Sequence, residues 1–285
     1  MKKRYFTLIK IICLLLIINA FSFKSQAKEN IIPNYEVKFL LDSDCVLNSD
    51  HLLKKEYRNT FSTGKDYKTI GVLYMDTEDR DFDIQGWTNR IRTEDDSKDF
   101  ELTYKKRYPI TDGDIVSALN LANDEGFDIG DTNYEAQVDW GYSKMILSLS
   151  CKKKASDKGY DNLELPKKSD ARKILEKDMP GKENRWLYEN WGSDMIEDGE
   201  KVGPVYYNKY SGIYCGKHIV IEIWPIEDQV TNATEYITEA SFKTDTYEEA
   251  DMFRNTINDA LDQEGILIHE DSLKTQKMVD AYLAQ

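Results

Sequence analysis

From residue 34 onward, short runs of alternating apolar and polar side chains recur along the chain, and a period of two marks extended strands. Nine short runs rich in β-branched and aromatic residues predict β segments at 35–41, 71–75, 88–93, 100–108, 134–140, 145–151, 205–210, 218–224 and 236–243. Helices are predicted at 50–57, 114–123, 169–177 and 247–264. The last begins at a capping box, Thr246 with Glu249, and stops at Gly265. Many strands with helices between them predict an α+β fold built on a closed or nearly closed antiparallel sheet.

Ahead of these runs the pattern changes. Lys2, Lys3 and Arg4 precede an apolar stretch at 11–23, and Ser25-Gln26-Ala27 places small residues at the −3 and −1 positions of a cleavage site. The stretch is shorter than the roughly 20 residues that span a bilayer. A signal peptide over 1–27, a secreted or periplasmic protein and no stable membrane span after cleavage are therefore expected. The remainder, 28–285, reads as one domain, with the Lys-, Asp-, Glu- and Gly-rich stretch 152–204 as an insertion or long connection.

Charge narrows the partners. The formal net charge is −14, and cleavage after Ala27 would remove five positive charges and leave −19. A general nucleic-acid or anionic-membrane binder carries a surplus of Lys and Arg, so neither is expected, and any anion site must be a local concentration of basic residues. Three scattered histidines give no zinc-site spacing. Cys45, Cys151 and Cys215 would remain after cleavage, compatible either with one disulfide and a free thiol or with three thiols.

The alternate positions of the strands carry the candidate chemistry. Glu36 and Lys38 share one face of the first strand, while Tyr35, Val37 and Phe39 share the other. Arg90 with Arg92, Lys105 with Arg107, Glu135 with Gln137 and Asp139, then Glu222, Glu239 and Lys243, continue the series. A wet sheet face would also alternate polar and apolar, but it normally mixes signs, whereas here basic residues pair with basic ones on successive strands. With this face turned inward, the barrel would hold a polyanion together with a divalent cation.

The ordered elements Tyr35-Glu36-Val37-Lys38-Phe39, Val72-Leu73-Tyr74-Met75-Asp76-Thr77-Glu78-Asp79, Gly86-Trp87-Thr88-Asn89-Arg90-Ile91-Arg92 and Glu101-Leu102-Thr103-Tyr104-Lys105 resemble the CYTH family, the triphosphate tunnel metalloenzymes. The resemblance extends over about residues 34–283 and implies an eight-stranded antiparallel tunnel barrel with flanking helices. It also implies a metal-dependent hydrolase of inorganic triphosphate or an organic triphosphate ester, or else a non-catalytic binder of polyphosphate or another polyanion. Carried over residue by residue, Lys38, Arg90, Arg92, Lys105 and Arg107 would bind the substrate. Glu36, Glu135, Asp139, Glu222 and Glu239 would bind Mg²⁺ or Mn²⁺, and Glu36 with Lys38 would be catalytic. The family's paired glutamates each lack one member, because Asn34, Gln137 and Ser241 stand where carboxylates would.

Overall fold

A computed structural model describes residues 28–272 and 274–283. Ten strands form one sheet: β1 (Asn34–Leu41), β2 (Lys68–Asp76), β3 (Trp87–Glu94), β4 (Asp99–Ile110), β5 (Glu135–Trp140), β6 (Met145–Ser156), β7 (Glu200–Tyr214), β8 (Lys217–Glu227), β9 (Thr234–Thr244) and the two-residue β10 (Leu267–Ile268). Their order is β10-β1-β5-β6-β4-β3-β2-β7-β8-β9, and β1 also pairs with β9 from Tyr35↔Thr244 to Leu41↔Thr238. That second pairing closes the sheet into a barrel.

The closed ring contains nine strands, one more than expected, and it is not wholly antiparallel. β1 runs parallel to β5 at Asn34↔Gln137 through Val37↔Trp140, and β10 then takes over the same edge at Leu40 and Leu41. Lys38 and Phe39 lie between these two pairings, while on its other edge β1 pairs with β9 from Tyr35 to Leu41. The signal-peptide reading falls outside the described residues. Among those residues, no helix is long and apolar enough to cross a membrane, and Cys45, Cys151 and Cys215 are free thiols.

Burial of β1 alternates along its length, with Tyr35, Val37, Phe39 and Leu41 buried. These residues belong to the main core, which lies outside the barrel under the helices, where Ile91, Leu102, Val138, Leu147 and Phe242 join them. Helix α8 (Tyr247–Gln263) packs there against β1 and β9, its first turn capped by the Thr246 side chain, which accepts from the Glu249 N–H at 3.3 Å. Residues 152–204 extend β6 to Ser156 and then form α5 (Lys168–Asp178), α6 (Gly181–Asn184) and α7 (Trp191–Asp198), where Trp191 is buried edge-on against Phe82. The shorter helices α1 (Ser43–Val46), α2 (Lys55–Thr60), α3 (Asp81–Ile84) and α4 (Ile115–Asp124) fill the other connections.

A second apolar cluster lies on the opposite, inward face. Ile70, Val72 and Tyr74 of β2 sit across from Glu94, Arg92 and Arg90 of β3, and they pack with Val205, Tyr207, Trp224 and Ile226. Helix α9 (Lys274–Leu283) completes this cluster with Met278 and Val279, so this helix is seated in the barrel against β7 and β8. The barrel interior is thus divided into an apolar sector occupied by α9 and a polar sector lined by β1, β3, β4, β5 and β9.

Candidate functional site

Local geometry explains why the basic strand pair points inward. Gly86 has φ +70°, a left-handed value that glycine adopts without strain, and a Cβ there would stand 2.8 Å from the Arg107 carbonyl oxygen. The tight approach lets Arg107 N–H donate to the Gly86 carbonyl at 2.8 Å and sets the β3–β4 register, in which Arg90 faces Thr103 and Arg92 faces Glu101. Asp76 acts one step earlier: its carboxylate accepts from the N–H groups of Thr77, Phe82 and Asp83 at 2.8–3.0 Å, closing the turn that delivers β3. Burial still pushes Asp76 up to about 6, against those three hydrogen bonds.

The polar sector is an ion-pair network. Lys38 Nζ lies 2.8 Å from Asp139 and 3.6 Å from Glu36, and Lys105 Nζ lies 3.9 Å from Asp139. Arg90 and Arg92 both reach Glu101, at 3.3 and 2.8 Å, and Arg107 donates to the Thr88 hydroxyl. Solvent still enters, because the Lys38, Lys105 and Arg90 side chains keep 25%, 20% and 24% of their exposure.

Electrostatics follow from this arrangement. Burial alone would favour neutral Lys38, yet Asp139 and Glu36 outweigh it and raise the ammonium above its ordinary value. Lys105 goes the other way: burial, reinforced by Arg107, Lys38 and Arg90, overcomes Asp139 and brings it down to about 7. Burial also opposes the Asp139 carboxylate, but Lys38 and Lys105, with hydrogen bonds from Lys38 and Ser148, hold it well below the usual carboxylate range.

Gln137, at one of the positions where the family resemblance implied a carboxylate, donates from Nε2 to Glu36 and to Asp139, at 2.8 Å each. An amide there joins two carboxylates that a third would repel. Glu135 stands apart: it is two-thirds exposed and paired with Lys152 at 2.6 Å, away from the other expected metal ligands.

Glu222 and Glu239 form a third group. They face each other directly across β8 and β9, and Lys274 of α9 places its ammonium 2.6 Å from one and 2.7 Å from the other. Glu239 is only 4% exposed, and Glu222 also accepts from the Trp224 indole N–H at 3.0 Å. Burial would raise Glu222, but Lys274 and the indole bring it down to about 2. Two carboxylates, one buried and one part-buried, converging on one point are a donor set that Mg²⁺ or Mn²⁺ accepts, since such ions take few protein carboxylates and complete their shell with substrate oxygens and water. Among the described residues no three acidic, His or Cys side chains converge, so these two would be the protein's contribution.

The expected residues are thus brought together in three groups: Glu36 with Lys38, Asp139 and Lys105; Arg90 with Arg92; and Glu222 with Glu239. Sequence reasoning gave Glu101 no role and passed over Lys274. Glu101 shares its face with Lys105 and Arg107 by the same period of two, so that signal was present; Lys274 lies beyond every predicted element. A cleft of about 1010 Å³, including Lys28, Asp128, Asp131 and Lys182, lies elsewhere on the outer wall. Two of its lysines are paired with aspartates, Lys28 with Asp128 and Lys182 with Asp131.

No family model and no curated protein matches the chain. Among solved structures it is similar to HpAC1 from Hippeastrum, a candidate adenylyl cyclase described as having a dominant triphosphatase activity, with TM-score 0.49 and 13% identity over 85% of this chain and 93% of that one. It is also similar to a candidate adenylate cyclase from Bacillus halodurans, with TM-score 0.45 and 14% identity over 88% and 98%. The PH1819 protein from Pyrococcus horikoshii has TM-score 0.40 and 12% identity over 85% and 98%. The reading of the site rests on the tunnel lining.

Proposed function

We propose that the protein captures a triphosphate, inorganic or carried on an organic ester, in the polar sector of its tunnel and hydrolyses it with a divalent cation. The observation that carries this reading is the inward convergence of Lys38, Arg90, Arg92, Lys105 and Arg107 in a chain of strongly negative net charge. Such local concentration against the overall charge is what selective polyanion capture requires.

The phosphate oxygens would replace Asp139 and Glu101 as partners of the cations, the arginines gripping by paired N–H donors and the lysines as point charges. Glu222 and Glu239 would hold Mg²⁺ or Mn²⁺. That ion, when bound, supplies Lewis-acid polarisation of a phosphoryl oxygen and offsets developing charge. Arg90 and Arg92 would stabilise charge on the equatorial oxygens of a loose transition state. Glu36, which contacts Gln137 and Lys38, would take the proton of an attacking water at a carboxylate oxygen.

The test uses the chain from Lys28 onward, which contains every described element, incubated with tripolyphosphate and Mn²⁺ while melting temperature and phosphate release are followed on the same samples. A ligand at 100 times its dissociation constant adds about 2.7 kcal/mol, a shift of several degrees. Stabilisation with release is expected; neither effect would refute the reading. A second reading, a binder without turnover, is favoured by the Lys274 bridge and by Asn34, Gln137 and Ser241, and stabilisation without release would select it. Export is proposed on the 1–27 pattern alone, and N-terminal sequencing of protein recovered outside the cytoplasm, starting at Lys28, would test it.

A further inference from the structure

We infer that Lys274 is a tethered counter-ion standing in the place of the divalent cation, so that the metal binds only as helix α9 withdraws from the tunnel. The inference rests on the hydrolase reading of the same site and adds its regulation.

Glu222 and Glu239 occupy directly opposed positions on adjacent antiparallel strands, an arrangement of like charges that destabilises a sheet unless a cation lies between them. The chain supplies that cation itself, at 2.6 and 2.7 Å, and the lysine is as enclosed as its partners, with 16% of its side chain exposed against 18% and 4%. Its charge is secured: burial opposes it, but the two carboxylates outweigh burial and raise the ammonium above its ordinary value. Lys274 also lies 4.9 Å from the centroid of the Trp224 ring, which covers it from the apolar sector. Two cations cannot share the point on which both carboxylates converge, so the ammonium and a metal ion exclude one another.

What holds the ammonium is the docking of α9. Met278 and Val279 are buried in the apolar sector, Tyr282 donates to the Pro204 carbonyl at 3.4 Å, Arg80 pairs with Asp280 at 2.7 Å and Lys277 pairs with Glu235. Before the helix, the Asp271 carboxylate accepts from the N–H groups of Ser143 and Lys144 at 3.0 and 3.2 Å. Those last bonds lie outside the barrel, on the β5–β6 turn, and would keep the helix attached while it leaves the tunnel. Withdrawal would clear the apolar sector and the metal position together.

The test measures Mn²⁺ binding directly, by the loss of the free-ion electron paramagnetic resonance signal, in the chain from Lys28 onward. Lys274→Met removes the competitor; its Mn²⁺ affinity should rise roughly tenfold or more over the unaltered chain, and its melting temperature should fall without metal and recover with it. Met278→Asp undocks the helix, carrying an unaltered Lys274 away from both glutamates, and should raise the affinity in the same direction even if Lys274→Met fails to fold. Unchanged Mn²⁺ affinity in the folded variants overturns the inference. Tripolyphosphate binding without metal, measured by calorimetry on the unaltered chain, separates the two readings. Retained polyanion binding with unchanged Mn²⁺ affinity defeats only the gate, whereas tighter Mn²⁺ binding without polyanion capture defeats only the proposed function.

Discussion

Lys105 gives the most quantitative handle on the tunnel. Its ammonium is enclosed by Arg90, Arg107 and Lys38 with only Asp139 in opposition, and its pKa is brought from 10.5 down to about 7. Between those two values the unfolded chain binds more protons than the native one, so native stability rises with pH across that window. At lower pH, holding the ammonium in place costs up to about 5 kcal/mol, from roughly 1.4 kcal/mol per pKa unit. A bound triphosphate reverses the balance, because its negative oxygens restore the charged form. Binding at pH 8 should therefore draw close to one proton, about 0.9, from solution, and binding at pH 6 close to none. Calorimetry of tripolyphosphate binding in buffers of different ionisation enthalpy reads this number directly. Lys105→Arg keeps the positive charge but cannot titrate, and should abolish the uptake attributable to the protein. Equal proton uptake by the two chains at pH 8 would refute the argument.

Four further outcomes follow from the same geometry. Arg92→Ala should weaken tripolyphosphate binding by about 1.5–3 kcal/mol, the range of a charge-assisted hydrogen bond, as read by calorimetry. Asp139→Ala leaves Lys38 and Lys105 without their shared partner and should lower stability by about 3–5 kcal/mol in urea unfolding at neutral pH. Glu222, depressed to about 2, contributes stability that is present above its ordinary 4.5 and lost as pH falls from there toward 2; Glu222→Gln should flatten that acid limb in thermal melts. Gly86→Ala meets both a positive φ and the Arg107 carbonyl, and should cost at least about 1 kcal/mol while reducing anion binding by displacing Arg107.

Runs rich in β-branched and aromatic residues identified all nine ring strands, and alternation by twos set Glu36, Lys38, Arg90, Arg92, Lys105 and Arg107 on their faces, because side-chain direction in a strand is a local property. Closure is not local. Nothing near Asn34 announces that β1 will run parallel to β5, since that pairing joins residues about 100 positions apart. The apolar sector was hidden for a different reason. Val72 and Tyr74 are as buried as Leu73 and Met75, so β2 is apolar on both faces and reads as a strand in a solid core. The helix that fills this sector has an ordinary amphipathic pattern at Met278, Val279 and Tyr282, which says that one side is covered but not by what. Lys274 was therefore invisible as a partner of Glu222 and Glu239, although both glutamates were singled out.

The β1–β9 seam has a bearing on how this chain is made. Tyr35 must find Thr244, and Leu41 must find Thr238, across about 200 intervening residues. Contacts of such separation form late, since the loop they close must be ordered before the pairing repays its entropy. Until then β1 carries an exposed edge on that side, and it is the strand that also bears Glu36 and Lys38. Synthesis begins with the staves of the tunnel and finishes with its hoop, so a chain cut short before residue 234 would present β1, with Glu36 and Lys38, as an open edge to any other chain nearby.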